Sequence, residues 1–371
     1  MTDDFEIATD CIKVFSIKNT IIIWWGFTSF GGTVHYMEKD VTIYDIAAAL
    51  GLSAATVSRA LKDHPAIHSA TKGLVRLKAE EMGYRRNAFA SNLRRKRTNI
   101  LGVIVPRLNS SFMSAVLAGM ERVANDAGYN LLIAQSLESS QKEIAAAATM
   151  FNSRVDGLLV SLAYDTDDLG HLEKFRRYNI PLVFFDRVPE PQFGAARVII
   201  DNFEAGREAT RHLLATCSRV MHVTGNLKRN VYAERFRGYL CALGEAGLVF
   251  SEELLLSNDL SVQAGAAVAD RIIGMADMPE GLFIANDLCA IGFIQSMKER
   301  GHPMPATARV VGFNDDPIAG FVEPQLTTIQ YQGELMGETA LTALIRQLNG
   351  QGGAETDTVV LSHRLIVRAS S

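Results

Sequence analysis

The sequence predicts an all-α helix-turn-helix headpiece followed by an α/β body of doubly wound parallel sheets in two lobes. Three observations predict it. The stretch 41–61, VTIYDIAAALGLSAATVSRAL, reads as two short amphipathic helices around a glycine turn. Basic residues crowd into that same region of the chain. From Ile100 onward, unbroken apolar runs alternate with amphipathic stretches, the texture of repeated strand-helix units.

Residues 1–36 differ from the rest of the chain. Ile21-Ile22-Ile23-Trp24-Trp25-Gly26-Phe27 is an apolar run too short to span a bilayer. The residues before it are acidic (Asp3, Asp4, Glu6, Asp10), where a secretory signal is basic. We expect Met37 to be the natural start, and residues 1–36 to be a non-native or disordered extension of upstream sequence; the alternative is a genuine N-terminal arm.

Residues 37–84 are expected to form the DNA-binding headpiece. Thr42 caps a first helix in which Ile43, Ile46, Ala47 and Leu50 fall on one face. Gly51 supplies the positive φ of a helix end, and Ser53 caps the second helix. That helix buries Val57, Ala60 and Leu61 and leaves Ala54, Ala55, Thr56, Ser58 and Arg59 outward. Such a face suits a recognition helix: short residues for close approach to a groove, hydroxyls for phosphates, and one planar donor. Taken alone, the stretch also fits an ordinary helical hairpin. A third helix is expected over about 69–82, with Leu74, Leu77 and Met82 inward and Gly83 closing it.

Residues 85–98 are expected to form a hinge. Asn87 caps a short helix in which Ala90 and Leu93 project from one side, followed by Arg94, Arg95, Lys96 and Arg97. A helix of about one and a half turns is not stable alone. On DNA it would push Leu93 between base steps of the minor groove while the arginines neutralise phosphates. The plainer alternative is a solvated charged linker. Over residues 37–98, twelve basic residues against six acids give +6, so the remainder carries −10 of the overall −4. A basic module on an acidic body is the electrostatic footprint of a nucleic-acid binder.

Residues 99–371 carry the strand signals. They are ILGVIV (100–105), YNLLIA (129–134), GLLVS (157–161), PLVFFD (181–186), VIID (198–201), RVMHVTG (219–225), GLFIAND (281–287) and RVVGFND (309–315). Apolar runs without alternation are buried on both faces, as in a parallel sheet. Several end in polar residues: Asp186, Asp201-Asn202, Asn286-Asp287 and Asn314-Asp315. Ligands of doubly wound sheets sit beyond the strands' carboxyl ends, where such groups suit a neutral polyol. Singly, each is more readily a cap or turn residue; their convergence at strand ends favours the functional reading.

Taken together, TIYDIA, TVSRAL, GYRRNAFASNL, GLLVS, FFDR, ERFRGY, IANDLCAIG, VVGFND and LTTI resemble, in order and spacing, the lactose-repressor family of bacterial transcription factors. The resemblance runs from about Val41 to the C-terminus. It implies a cytoplasmic homodimer that reads a near-palindromic double-stranded operator, with a periplasmic-binding-protein-like body sensing a small, sugar-like effector. Ala54 and Ala55 take the two base-reading positions, and Arg59 matches the arginine of the TVSR motif. Thr42, Tyr44, Ser53, Thr56 and Ser58 complete the implied DNA-binding set with Asn87, Ala90 and Leu93, the last matching the intercalating leucine. Alanines at base-reading positions offer only apolar contact to thymine methyls, so direct readout should be modest. In the body the implied effector-binding residues are Asn109, Phe112, Asp186, Arg235, Asn286 and Asn314.

Two positions depart from the family. Asn314 stands where an effector-holding Asp is usual, leaving a sugar, a sugar phosphate or a less hydroxylated molecule open. Cys217-Ser218 replaces a glycine-containing turn, a structural change. No leucine heptad follows Leu365-Ile366-Val367, so a dimer and not a tetramer is expected. The scattered cysteines (Cys11, Cys217, Cys241, Cys289) form no CxxC pair, so neither metal site nor disulfide framework is expected, and a reducing compartment fits. No cofactor is implied. A periplasmic sugar-binding protein has no use for the basic front end. An α/β enzyme such as a sugar kinase lacks support, since neither GxxxxGK[ST] nor GxSxG occurs.

Overall fold

The computed structural model describes residues 12–17, 20–25, 41–84, 97–351 and 357–371. They fall into two compact units, Met1–Ala88 and Phe89–Ser371. Within the N-terminal stretch, β1 (Ile12–Ile17) and β2 (Thr20–Trp25) pair antiparallel, with Ile12 opposite Trp25.

The headpiece contains α1 (Ile43–Leu50), α2 (Ala54–Leu61) and α3 (Ser69–Glu81). Thr42 and Asp45 form a capping box: the Thr42 backbone N–H donates to the Asp45 carboxylate at 2.8 Å, and the Thr42 hydroxyl accepts from the Asp45 N–H. Gly51 ends α1 at φ 64°, and Ser53 Oγ accepts from the Thr56 N–H at 3.1 Å. Helices of eight residues are marginal alone, so packing must hold them. Ile46, Val57, Ala60 and Val75 are fully buried at their common centre.

The inward stripe of α3 differs from the expected one. Val75 and Ala79 are buried, whereas Leu74 and Leu77 are 53% and 68% exposed. The register of α3 against α1 and α2 selects the i, i+4, i+7 row Val75, Ala79 and Met82, and Leu74 lies one residue, about 100°, off that row. Val75 and Ala79 pack there with Ile46, Val57 and Ala60, so apolar character alone misassigned the face.

The body begins β3 (Ile100–Val105), α4 (Ser111–Asp126), β4 (Asn130–Gln135), α5 (Ser140–Asn152), β5 (Gly157–Val160), α6 (Gly170–Arg177), β6 (Leu182–Phe185) and β7 (Ala196–Ile200). It continues α7 (Asn202–Leu214), β8 (Val220–Thr224), α8 (Asn230–Glu245), β9 (Leu255–Ser257), α9 (Val262–Ile273), β10 (Gly281–Ile284) and α10 (Asp287–Glu299). β11 (Arg309–Asn314), β12 (Thr327–Tyr331), α11 (Gly333–Leu348), β13 (Thr358–Leu361) and β14 (His363–Ile366) complete it. The first sheet has the order β13-β7-β6-β5-β3-β4 and the second β14-β12-β11-β10-β8-β9. All pairings are parallel except that of β12 with β14. The body therefore has two doubly wound lobes. The chain passes between them after β7, before α11, and between β13 and β14.

All eight expected body strands form, and the central ones are buried on both faces; every residue of β8 is buried. β4 lies at a sheet edge, and Ile133 is 41% exposed there. Three helix pairs pack backbone to backbone through reciprocal glycines. A Cβ on Gly119 of α4 would strike the Glu334 carbonyl, and one on Gly337 of α11 the Val116 carbonyl. Gly206 and Gly238 do the same for α7 and α8, and Gly265 and Gly292 for α9 and α10. Among the described residues no helix is long and apolar enough to cross a membrane.

Candidate functional site

The headpiece presents the face of α2 that the sequence points to. Ala55 and Arg59 are exposed, while Ala54, Thr56 and Ser58 are half-buried. Ser53 Oγ and Thr56 Oγ1 lie 2.8 Å apart, so the cap also orients the first hydroxyl of this face. Thr42 and Tyr44 are exposed at the start of α1, Tyr44 at 71%. Asp63 pairs with Lys72 at 3.1 Å and Arg76 at 3.2 Å, and the Lys72 ammonium holds its carboxyl below the ordinary range. Asn87, Ala90 and Leu93 lie outside the described residues.

In the body, Asn109, Phe112, Asp186, Arg235, Asn286 and Asn314 all line one cavity of about 560 Å³ between the two lobes. It lies beyond the carboxyl ends of both sheets, where doubly wound folds place ligands. Two larger cavities, of about 680 and 950 Å³, contain none of these six residues.

Each of the six is held by an identifiable interaction or placed at the cleft mouth. Phe112, in the first turn of α4, sets its ring 4.6 Å from that of Tyr331. Asp186 ends β6 at φ 56°, and its carboxylate lies 3.5 Å from Ser161 Oγ. Asn286 Oδ1 accepts from the N–H groups of Leu288 and Cys289, capping α10. It is therefore both a cap and a cleft residue, with its amide nitrogen the group left for the cleft. Arg235 is 3% exposed; its Nε donates to Asn202 Oδ1 at 2.9 Å and its Nη1 to the Ala285 carbonyl at 3.1 Å. Asn109 is exposed at the mouth.

Asn314 has φ 121°, and its Oδ1 accepts from the Tyr331 hydroxyl at 3.2 Å. Its side chain and that of Ser111 also act on the Asp316 carboxyl, favouring its anion against burial. A carboxyl group nonetheless stands two residues on from Asn314, because Asp316 lines the same cleft. Buried Asp287 fixes this loop from beneath: it accepts from Thr328 Oγ1 at 2.7 Å and from the Asp316 N–H at 2.8 Å.

Burial governs the electrostatics. It raises the Asp186 carboxyl above its ordinary value, against the opposing pull of Arg187 and Arg235, and raises Asp316 likewise. Desolvation pushes Asp287 up to about 7, although both of its hydrogen bonds favour the anion. Buried Arg235 is lowered for the same reason. Carboxyl groups held toward neutrality both donate to and accept from hydroxyls.

Sequence reasoning missed Glu138, Arg187, Tyr232, Asp316 and Tyr331, all of which line the cleft. Arg187 stood in the FFDR motif and Asp316 one residue past GFND, so both had a signal. Glu138 stands in an undistinguished loop and carried none. The turn at Cys217-Ser218 is structural, as expected: the Ser218 hydroxyl donates to the Glu280 carboxylate at 2.9 Å.

The chain resembles known proteins along both units. The model of the bacterial regulatory proteins of the lacI family matches residues 42–87, and that of the periplasmic binding protein-like domain matches residues 210–371. The transcriptional repressor PurR of Yersinia enterocolitica is 31% identical over 337 residues, covering 89% of this chain and 96% of that protein. Among solved structures, the transcriptional regulator CelR–cellobiose complex matches with a TM-score of 0.68 and 26% identity, covering 89% of this chain and 100% of that one. The Lac repressor dimer bound to operator and the anti-inducer ONPF matches in fold, with a TM-score of 0.79 and 24% identity over 90% of this chain and 99% of that one. A lacI-type headpiece, a two-lobed binding-protein-like body and a relative matched along nearly its whole length agree. The chain belongs to the lacI family of bacterial regulatory proteins, and is a DNA-binding regulator of transcription and not an enzyme.

Proposed function

We propose that this regulator is a cytoplasmic homodimeric repressor that binds a near-palindromic operator, and that a small sugar-like effector in the interlobe cleft controls its affinity for DNA. The observation that carries this is the convergence of six residues from both lobes on one cavity at the sheets' carboxyl ends. A ligand touching Asn109 and Asp186 of one lobe and Arg235, Asn286 and Asn314 of the other favours whichever lobe pose it fits better. Asn87, Ala90 and Leu93 of the hinge would then order on DNA in one pose only, while Arg59 and the α2 face meet the major groove. Cellobiose in the CelR complex and the operator-bound Lac repressor dimer are parallels in related folds.

The experiment has two steps. Thermal unfolding against a panel of sugars, sugar phosphates, nucleosides and purines identifies the ligand. A ligand at about a hundred times its Kd stabilises by roughly 2.7 kcal/mol, a readable shift. Operator fragments selected from random duplex DNA are then titrated with and without it. Linkage requires each partner to change the other's affinity by one factor. Equal effector affinity in the presence and absence of operator refutes the proposal.

A further inference from the structure

Leu137 and Glu138 follow β4 with φ values of 49° and 63°. Two consecutive L residues in the left-handed region are costly unless their side chains are held. Leu137 is 42% exposed and offers little hold. Glu138 offers more: its Oε2 accepts from Arg187 Nη1 at 2.6 Å, and its Oε1 lies 3.7 Å from Arg107 Nε. Arg187 also reaches across the cleft, its Nη2 donating to the Tyr232 hydroxyl of the other lobe at 3.2 Å. One carboxylate is thus shared by two guanidinium groups on the cleft wall. The third arginine of the cleft, Arg235, is bonded to Asn202 and the Ala285 carbonyl.

Resting on the effector-sensing function proposed above, we infer that Glu138 sets the charge class of the cleft's ligand. By occupying the Arg187 fork and standing beside Arg107, it reserves the cleft for an uncharged polyhydroxylated molecule and turns away phosphorylated or carboxylated counterparts. Arginines with free forks bind phosphate and carboxylate bidentately. Here an entering anion must displace Glu138 from Arg187 or face its carboxylate, with Asp259 of the other lobe lining the same cavity. Like charges at a partly buried site discriminate strongly, because solvent screens them poorly. A neutral sugar meets no such penalty and finds carboxyl, amide and aromatic groups in the same space.

The test uses the full chain, with inorganic phosphate as probe and sodium chloride at matched ionic strength and pH as control. Wild type should show no phosphate-specific change in melting temperature. Glu138→Gln, which keeps the shape and loses the charge, should bind phosphate about tenfold or more tightly, with a saturable upward shift. Adding Arg187→Gln should abolish that gain, which also separates cleft binding from binding at the basic headpiece. Glu138→Ala replaces the amide variant should that one fail to fold. A wild-type shift abolished by Arg187→Gln, or a folded Glu138 variant that gains nothing, overturns the inference. So does a sugar phosphate that binds wild type more tightly than its neutral parent sugar. The effector-sensing function fails separately, if no cleft ligand of either class changes operator affinity.

Discussion

Arg235 lays its guanidinium carbon 3.4 Å from the centre of the Phe313 ring, so a strand of the second lobe carries the charged floor of the cleft on an aromatic face. The contact joins α8 to β11, while the same guanidinium bonds Asn202 at the start of α7. Three elements are therefore pinned by one side chain.

Replacing Arg235 by Ala should cost the body several kcal/mol, about 1–3 for each buried acceptor left without its donor. The expected result is a lower melting temperature with ligand-induced stabilisation lost. Operator binding by the headpiece, measured by fluorescence anisotropy below the new melting point, should persist without responding to effector. A variant with unchanged effector response would remove Arg235 from the binding set.

Two buried groups of the second lobe should give stability opposite dependences on pH. Asp287 sits at about 7 in the folded chain against an ordinary 3.8, so between those values the folded state keeps a proton the unfolded state has released. Its contribution makes stability fall as pH rises through that window. His222 sits at about 3 against an ordinary 6.5, held down by burial among Phe236, Tyr239 and Phe283, its ring 4.5 Å from that of Phe283. The unfolded state takes up its proton first, so stability falls as pH drops from 6.5 toward 3. The two slopes, each up to about 1.4 kcal/mol per pH unit, oppose one another between roughly pH 4 and 6.5. Urea unfolding across that range should be nearly flat for these two groups in wild type. Asp287→Asn should expose the acid-side loss, and His222→Phe, which keeps the ring stack, the alkaline-side loss. Parallel profiles for the two variants would refute this.

The headpiece offers a contrast within one helix bundle. Ile46→Ala should destabilise it by about 2–5 kcal/mol, since a fully buried side chain is removed from a small core. Leu77→Ala, at a residue 68% exposed, should change stability by less than about 0.5 kcal/mol. Chemical denaturation followed by circular dichroism separates the two. Comparable losses would show that the Leu77 face is covered in the folded protein.

On the DNA side, Arg59→Ala should weaken operator binding by about 1–3 kcal/mol, roughly five- to 150-fold. Substituting Ala55, exposed at the start of α2, by Asn should change the preferred base at one operator position while leaving the salt dependence of affinity nearly constant. A change in salt slope with no change in preference would place Ala55 against phosphate and not base.

Most of this architecture was legible because strong local signals agreed with the tertiary structure. Thr42, Gly51 and Ser53 punctuate the headpiece as their chemistry requires, and the unbroken apolar runs became buried parallel strands. Legibility failed where tertiary context decided. Leu74 and Leu77 looked like core, but helix register put Val75 and Ala79 inside. β9 and β13 are short edge strands without an apolar run strong enough to mark them. In the cleft, Asp186, Asn286 and Asn314 at strand ends were found, whereas Arg187, although inside the FFDR motif, was passed over. Glu138 was missed because its place depends on a backbone turn and on two arginines, Arg107 and Arg187, distant in sequence, neither of which a local pattern encodes.

The reciprocal glycines between α4 and α11, α7 and α8, and α9 and α10 leave each lobe with little internal give. A plate that does not flex acts as a lever. Under the effector control proposed above, a displacement at the cleft would be taken up at the three crossings between the lobes and passed to the lobes' far ends. At one such end the Asp156 carboxylate grips the backbone N–H groups of Thr98 and Asn99, each at 2.8 Å, where the chain enters from the hinge. On the same proposal, a ligand that moves this lobe as a unit would carry residue 98 with it.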